Sequence, residues 1–137
     1  MLDAVVISFD GGSRGNPGPA AIGALVLDPS TVPPRRLATV SERIGVTTNN
    51  VAEYRALIAG LEAATATPAR AAHVRGDSLL VIEQLAGRWK VKQPHLKTLH
   101  AQARALLDRY EEIELAHVRR EHNVEADALV NAALDLP

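Results

Sequence analysis

The 137-residue sequence contains no cysteine, which excludes disulfides and thiolate metal sites and suits a reducing compartment; a cytoplasmic protein is expected. No apolar run approaches the roughly 20 residues that a membrane helix needs, so no membrane partner is expected. The opening Met1-Leu2-Asp3 has an acid and no basic flank before its apolar run, unlike a secretory signal. Nor does one sign of charge dominate: the net charge is −1, unlike a globally basic nucleic-acid binder. Positive charge is local instead. Arg88, Lys90, Lys92 and Lys97 fall within ten residues, and Arg119 adjoins Arg120; each group reads equally as solvated surface or as an anion-binding face. Apolar residues make up 47% of the chain, enough for a core without covalent staples. The length suits one domain over residues 1–137.

The run Ala4 to Asp10 is β-branched and apolar on both faces, which predicts a central strand. Gly11 to Pro19 is dense in glycine and proline and predicts a turn. Ala20 to Leu27 and Arg35 to Val46 predict two further strands, joined by short connections that favour antiparallel pairing. From Asn50 the period changes: Tyr54, Leu57, Ile58, Leu61 and Ala64 recur at helical spacing. Ala71 to Gly76 predicts a strand, Ser78 to Ala86 a short helix ended by Gly87, and Pro94 opens a helix carrying Leu96, Leu99, Ala103, Leu106 and Leu107. Ile113, Leu115 and Val118 predict the last strand, and Asn123 can cap a final helix through Leu134. The later strands alternate with helices, which favours parallel pairing. The expected class is α/β, a mixed sheet covered by helices.

Four acids stand at strand ends or helix starts. Asp10 ends an otherwise apolar strand, where it could cap the Gly11-Gly12 backbone. Glu53 fits a capping box with Asn50 as cap and Glu53 at the third helical position. Asp77 could be an N-cap, although strand ends beside helix starts also carry functional groups in α/β sheets. Asp127 shares a helical face with Val130 and Leu134 and has no obvious local cation. Four converging carboxylates would repel one another unless divalent cations intervened. All-oxygen ligation suits magnesium or manganese rather than zinc. Two such ions could support in-line phosphoryl displacement.

Four stretches carry a family resemblance: FDGGSRGNPGPAAIG from Phe9 to Gly23, TTNNVAEYRALIAGL from Thr47 to Leu61, VRGDSLLVIEQL from Val74 to Leu85, and HNVEADALVNAAL from His122 to Leu134. In this order, each with its acid, they resemble type 1 ribonuclease H along nearly the whole chain. The likeness is strongest to the compact domain of bacterial proteins that also carry an acid-phosphatase-like domain. It implies a ribonuclease H-like fold: a five-stranded sheet, its first three strands antiparallel and its last two parallel, with helices on both faces. It also implies cleavage of the RNA strand of an RNA–DNA hybrid, leaving 5′-phosphate and 3′-hydroxyl ends. Two Mg2+ ions, with Mn2+ as substitute, would be held by Asp10 (shared by both), Asp127 on the nucleophile side, and Glu53 and Asp77 on the leaving-group side. A monomer is expected, and a longer parent chain with a C-terminal phosphatase-like domain is compatible with the likeness.

By the same resemblance, Asn16, Asn49 and the backbone near Gly12 and Ser13 would meet the 2′-hydroxyls or nearby base edges, for which amides are suited as both donor and acceptor. Thr48 would anchor a DNA-strand phosphate and Trp89 would pack on DNA sugars. Residue by residue, Asn16 also reads as a turn residue, Asn49 as a helix-start residue and Trp89 as partly buried. The chain departs from larger relatives in three places. GRWKVKQPHLKTL lacks their inserted basic helix, which implies weaker hybrid affinity or reliance on Arg88 to Lys97. Only Val118 to Asn123 stands where relatives carry a histidine loop, so His122 is an accessory candidate beside Arg119 and Arg120. Leu79 replaces a polar residue. Two other readings remain on sequence: a hybrid-binding module of the same fold without catalysis, and a proofreading exonuclease. The latter expects two acids separated by one residue on the first strand, where this chain has Asp10-Gly11-Gly12.

Overall fold

A computed structural model describes residues 2–136. The elements are β1 (Ala4–Ser13), β2 (Gly18–Asp28), β3 (Arg35–Thr47), α1 (Asn49–Ala64), β4 (Ala71–Gly76), α2 (Leu79–Leu85), α3 (Pro94–Leu107), β5 (Glu112–His117), a 3-10 turn (Arg120–His122) and α4 (Val124–Leu134). The five strands lie in the order β3-β2-β1-β4-β5. The hairpin connections make β1/β2 and β2/β3 antiparallel. α1 then carries the chain across the sheet, so β4 joins β1 in parallel, and α2 and α3 do the same for β5; parallel neighbours require such crossovers.

Period-two alternation sends Val5, Ile7 and Phe9 to one face, where they pack with Tyr54, Leu57 and Leu61 of α1 and with Leu96, Ala103 and Leu107 of α3. Each such large side chain contributes roughly 1.5–3 kcal/mol on burial. The opposite face receives α4, whose Val130 and Ala133 pack on Ala21. Helices therefore cover both faces. No helix among the described residues is long and apolar enough to cross a membrane.

Four local expectations are corrected. Gly11 and Gly12 do not turn: β1 runs on to Ser13, still paired with β2, and the turn shrinks to Arg14–Pro17. The cap of α1 is Thr48, not Asn50; its hydroxyl accepts from Val51 N at 3.3 Å. Glu53 thus lies beyond the first turn, and the capping-box reading fails. Asn123 occupies the cap position of α4, but its side chain donates to Phe9 O at 2.9 Å instead of capping. In these three cases a contact far away in sequence outweighs the local one. Asp77 likewise leaves the N-cap role to Ser78, which accepts from Val81 N.

Candidate active site

Strand register brings the first two acids together. Phe9 and Gly76 are partners across the parallel β1/β4 pair, so Asp10 and Asp77, the residues that follow them, emerge side by side. Glu53 arrives from α1, and its carboxylate accepts from Gly11 N at 2.5 Å. That approach depends on glycine: a Cβ on Gly11 would overlap the Ala52 carbonyl and lie 2.5 Å from Glu53 N. The fourth acid is delivered by a similar contact. Gly23 is the β2 partner of Asp10, and a Cβ there would lie 2.5 Å from Ala126 O. The bare backbone lets α4 settle with Asp127, the residue after Ala126, near Asp10. β3 holds α4 down: Ser41 Oγ donates to Leu129 O at 2.6 Å, Arg43 Nε to Ala133 O at 2.8 Å, and Arg36 pairs with Glu125.

Asp10, Glu53 and Asp77 offer carboxylate oxygens within 4.8 Å of one another. Asp10 and Glu53 are only 7% and 8% exposed; Asp77 is half-buried. Asp127, half-buried, stands just outside this trio, close enough to help raise the Asp10 carboxyl. Asn131 Nδ2 donates to Asp127 at 3.3 Å.

Burial, then the charges of Asp77 and Asp127, push the Asp10 carboxyl up to about 8. Glu53 is also raised well above the usual range, first by burial and then by Asp10 and Asp77, against the opposing pull of the Gly11 N–H. Among the described residues no lysine or arginine forms an ion pair with any of the four acids. A crowded, desolvated, all-oxygen cluster without a protein counterion fits a hard divalent cation. The same arrangement sets a pH dependence. An acid whose folded pKa is raised from 3.8 to about 8 favours the fold most below its unfolded pKa, and that contribution is lost as pH rises through the folded value. Metal-free thermal unfolding should therefore show stability falling between about pH 4 and pH 8, and added Mg2+ should restore it most at the alkaline end. A metal-free stability that rises across this window would contradict the cluster's electrostatics.

The acids line a groove of about 640 Å3. Gly12, Ser13 and Asn49 line it with them, as do Arg119 and Arg120. Asn49 Oδ1 accepts from Ser13 N at 2.9 Å, and Asn16 Oδ1 accepts from Asn49 N at 3.1 Å. Asn16 thus braces Asn49 without lining the groove itself. Thr48, the α1 cap, directly precedes Asn49 but does not itself line the groove. Trp89 lies outside the groove, 45% exposed, on the connection between α2 and α3. His122 is elsewhere: it lines a separate recess with Ser8, Leu25 and Leu27. The histidine on the groove is His117, at the end of β5. Arg14, His117 and Asn131 are groove residues that sequence reasoning does not single out. Arg14 could have been sought as a cation within a glycine-rich turn next to an acid, but its Asp135 partner, 2.6 Å away, has no sequence signal.

Comparison with known proteins agrees with this architecture. The Reverse transcriptase-like family matches residues 8–133. Mycobacterial relatives are 53% identical over 133 residues, and the chain spans 35% of their length; one is the bifunctional protein Rv2228c of Mycobacterium tuberculosis. The solved N-terminal RNase H domain of that protein superposes with a TM-score of 0.90 at 52% identity, covering 96% of this chain and 99% of that one. Ribonuclease HI of Halobacterium salinarum is 47% identical over 128 residues, 93% of this chain and 62% of that protein. LC11-RNase H1, solved in complex with an RNA/DNA hybrid, gives a TM-score of 0.86 at 40% identity, with 96% of each chain covered. The chain belongs to the type 1 ribonuclease H family.

Proposed function

We propose that residues 1–137 form a ribonuclease H domain that hydrolyses the RNA strand of RNA–DNA hybrids, and that it leaves 5′-phosphate and 3′-hydroxyl ends. The observation that carries the reading is the trio Asp10, Glu53 and Asp77, its carboxylate oxygens within 4.8 Å of one another and, among the described residues, without a lysine or arginine ion pair. Together with Asp127 these residues would hold two Mg2+ ions, or Mn2+ in their place: Asp10 for both, Asp127 for the nucleophile side, Glu53 and Asp77 for the leaving-group side. When bound, such ions supply the positive charge that activates water and stabilises a leaving oxygen.

The chain's own residues do the positioning. The Gly11 N–H fixes the Glu53 carboxylate, and Asn131 orients Asp127. Gly12, Ser13 and Asn49 form the rim that meets the RNA 2′-hydroxyls, kept in shape by Asn16. The Thr48 hydroxyl accepts within its helix and still has a proton to donate to a DNA-strand phosphate. Arg119 and Arg120, which line the same groove as the acids, attract the phosphate backbone. His122, in its separate recess, has no part in this scheme.

The LC11-RNase H1 complex with a hybrid and the halobacterial ribonuclease HI support the substrate class. An end-labelled RNA strand annealed to DNA tests the proposal. Internal cuts with Mg2+ or Mn2+, no cuts in excess chelator, and products carrying 5′-phosphates are expected. Undiminished cleavage in chelator, or stepwise trimming from one end, would overturn it.

A further inference from the structure

The connection between α2 and α3, residues 86–93, has no regular secondary structure, yet it carries Trp89, Lys90 and Lys92. Its shape is set by two residues of α2. The main-chain carbonyl of Glu83 accepts from the amides of Arg88 and Trp89 at 3.0 and 3.2 Å. The Glu83 carboxylate grips the Arg88 guanidinium with two bonds, 2.6 and 2.8 Å long. Gln84 completes the bracket from inside. Its side chain is buried, its Oε1 accepts from the Tyr54 hydroxyl at 2.5 Å, and its Nε2 donates to Lys90 O at 3.2 Å. Its own carbonyl accepts from His100 Nε2 at 3.1 Å. One amide thus ties the connection to α1, which carries Glu53 next to Tyr54, and its backbone ties the same point to α3.

A leucine or methionine at position 84 would fill this space as well as glutamine does. What the polar side chain adds is a single permitted arrangement, because releasing either end would strand a buried donor or acceptor. A short connection has little packing of its own to hold an exposed aromatic in place. We infer that Gln84 is a positioning residue that presents Trp89, Lys90 and Lys92 at a fixed distance from the acid groove, so that this short segment can engage the uncleaved strand of the duplex. Arg88, engaged by Glu83, is part of the bracket and not a phosphate ligand. The substrate side of this inference rests on the proposed hybrid specificity.

The test uses the whole 137-residue chain with Gln84→Leu, which keeps the volume and removes both side-chain bonds, and Tyr54→Phe, which removes one. Trp89 is the only tryptophan, so its time-resolved anisotropy reports on the segment without any substrate. In the wild type Trp89 should tumble with the whole molecule. In Gln84→Leu it should gain a nanosecond component, KM for a hybrid should rise by about five- to twentyfold, and kcat should stay within about twofold. Tyr54→Phe should shift both readings in the same direction by less, and serves alone if Gln84→Leu does not fold. Unchanged Trp89 anisotropy overturns the inference, whatever happens to KM. So does a fall in kcat with KM unchanged, which would place the effect at Glu53. A wild type that neither binds nor cleaves hybrids refutes the proposed function instead, and leaves the anisotropy to judge the bracket.

Discussion

Replacing Asp10 with asparagine is expected to reduce hybrid cleavage by roughly a thousandfold or more and, at the same time, to make the metal-free protein harder to unfold. The two effects have one origin. Asp10 is the member of the cluster that neighbours both Asp77 and Asp127, and burial with those charges pushes its carboxyl up to about 8. At neutral pH the metal-free fold must either hold that proton or tolerate the charge, and both cost stability relative to the unfolded chain. Asparagine has the same shape, carries no charge and removes the conflict. With each pKa unit equivalent to about 1.4 kcal/mol, a gain on the order of 2–4 kcal/mol near pH 7 follows. Thermal unfolding in chelator should show a melting temperature several degrees higher, and the Mg2+-induced rise seen in the wild type should largely disappear. A variant that is both inactive and less stable would mean that Asp10 has a favourable structural role that the geometry does not provide.

The second large effect is expected at Gly11, which bears no chemistry. Gly11→Ala sets a Cβ against the Ala52 carbonyl and 2.5 Å from Glu53 N. Neither atom belongs to a side chain that could rotate away. α1 must move outward, or β1 must bend where it pairs with β2. Overpacking of backbone against backbone should cost about 3 kcal/mol or more, roughly 10 °C in melting temperature for a domain of this size. The displacement also breaks the Gly11 N–H bond that fixes Glu53, so cleavage should fall by at least about a hundredfold even at temperatures where the variant is folded. Near-normal activity in folded Gly11→Ala would show that the position of Glu53 tolerates a shift of about an ångström.

Element types were legible because they depend on periodicity: the apolar run of β1, the helical spacing from Tyr54 to Ala64 and the alternation of late strands with helices all survive in the structure. Local rules failed where a distant partner competed. Asn50 and Glu53 satisfy a capping box on paper, yet Thr48 caps α1, and a start two residues earlier leaves Glu53 to bond Gly11, 42 residues away. Asn123 looks like a cap and instead bonds Phe9 O, 114 residues away. Gly11-Gly12 reads as a turn because glycine usually marks one, whereas here it lets α1 approach a strand. The four acids were each open to a structural explanation. Their order within the family-like segments raised the site, and the Phe9–Gly76 register supplies the reason that Asp10 and Asp77 meet. His117 at the groove, and His122 away from it, depend on how the short connection after β5 folds, which no spacing rule reports.

The most direct test of the central claim is a side-by-side cleavage assay on four labelled substrates of one sequence: RNA–DNA hybrid, RNA duplex, DNA duplex and a chimeric strand containing a short ribonucleotide run. With Mg2+ or Mn2+ the chain should cut the RNA of the hybrid and the ribonucleotide run of the chimera when paired to DNA, and leave both uniform duplexes intact. Equal cleavage of the DNA duplex, or no cleavage of the hybrid by protein that is folded and binds it, would contradict the account.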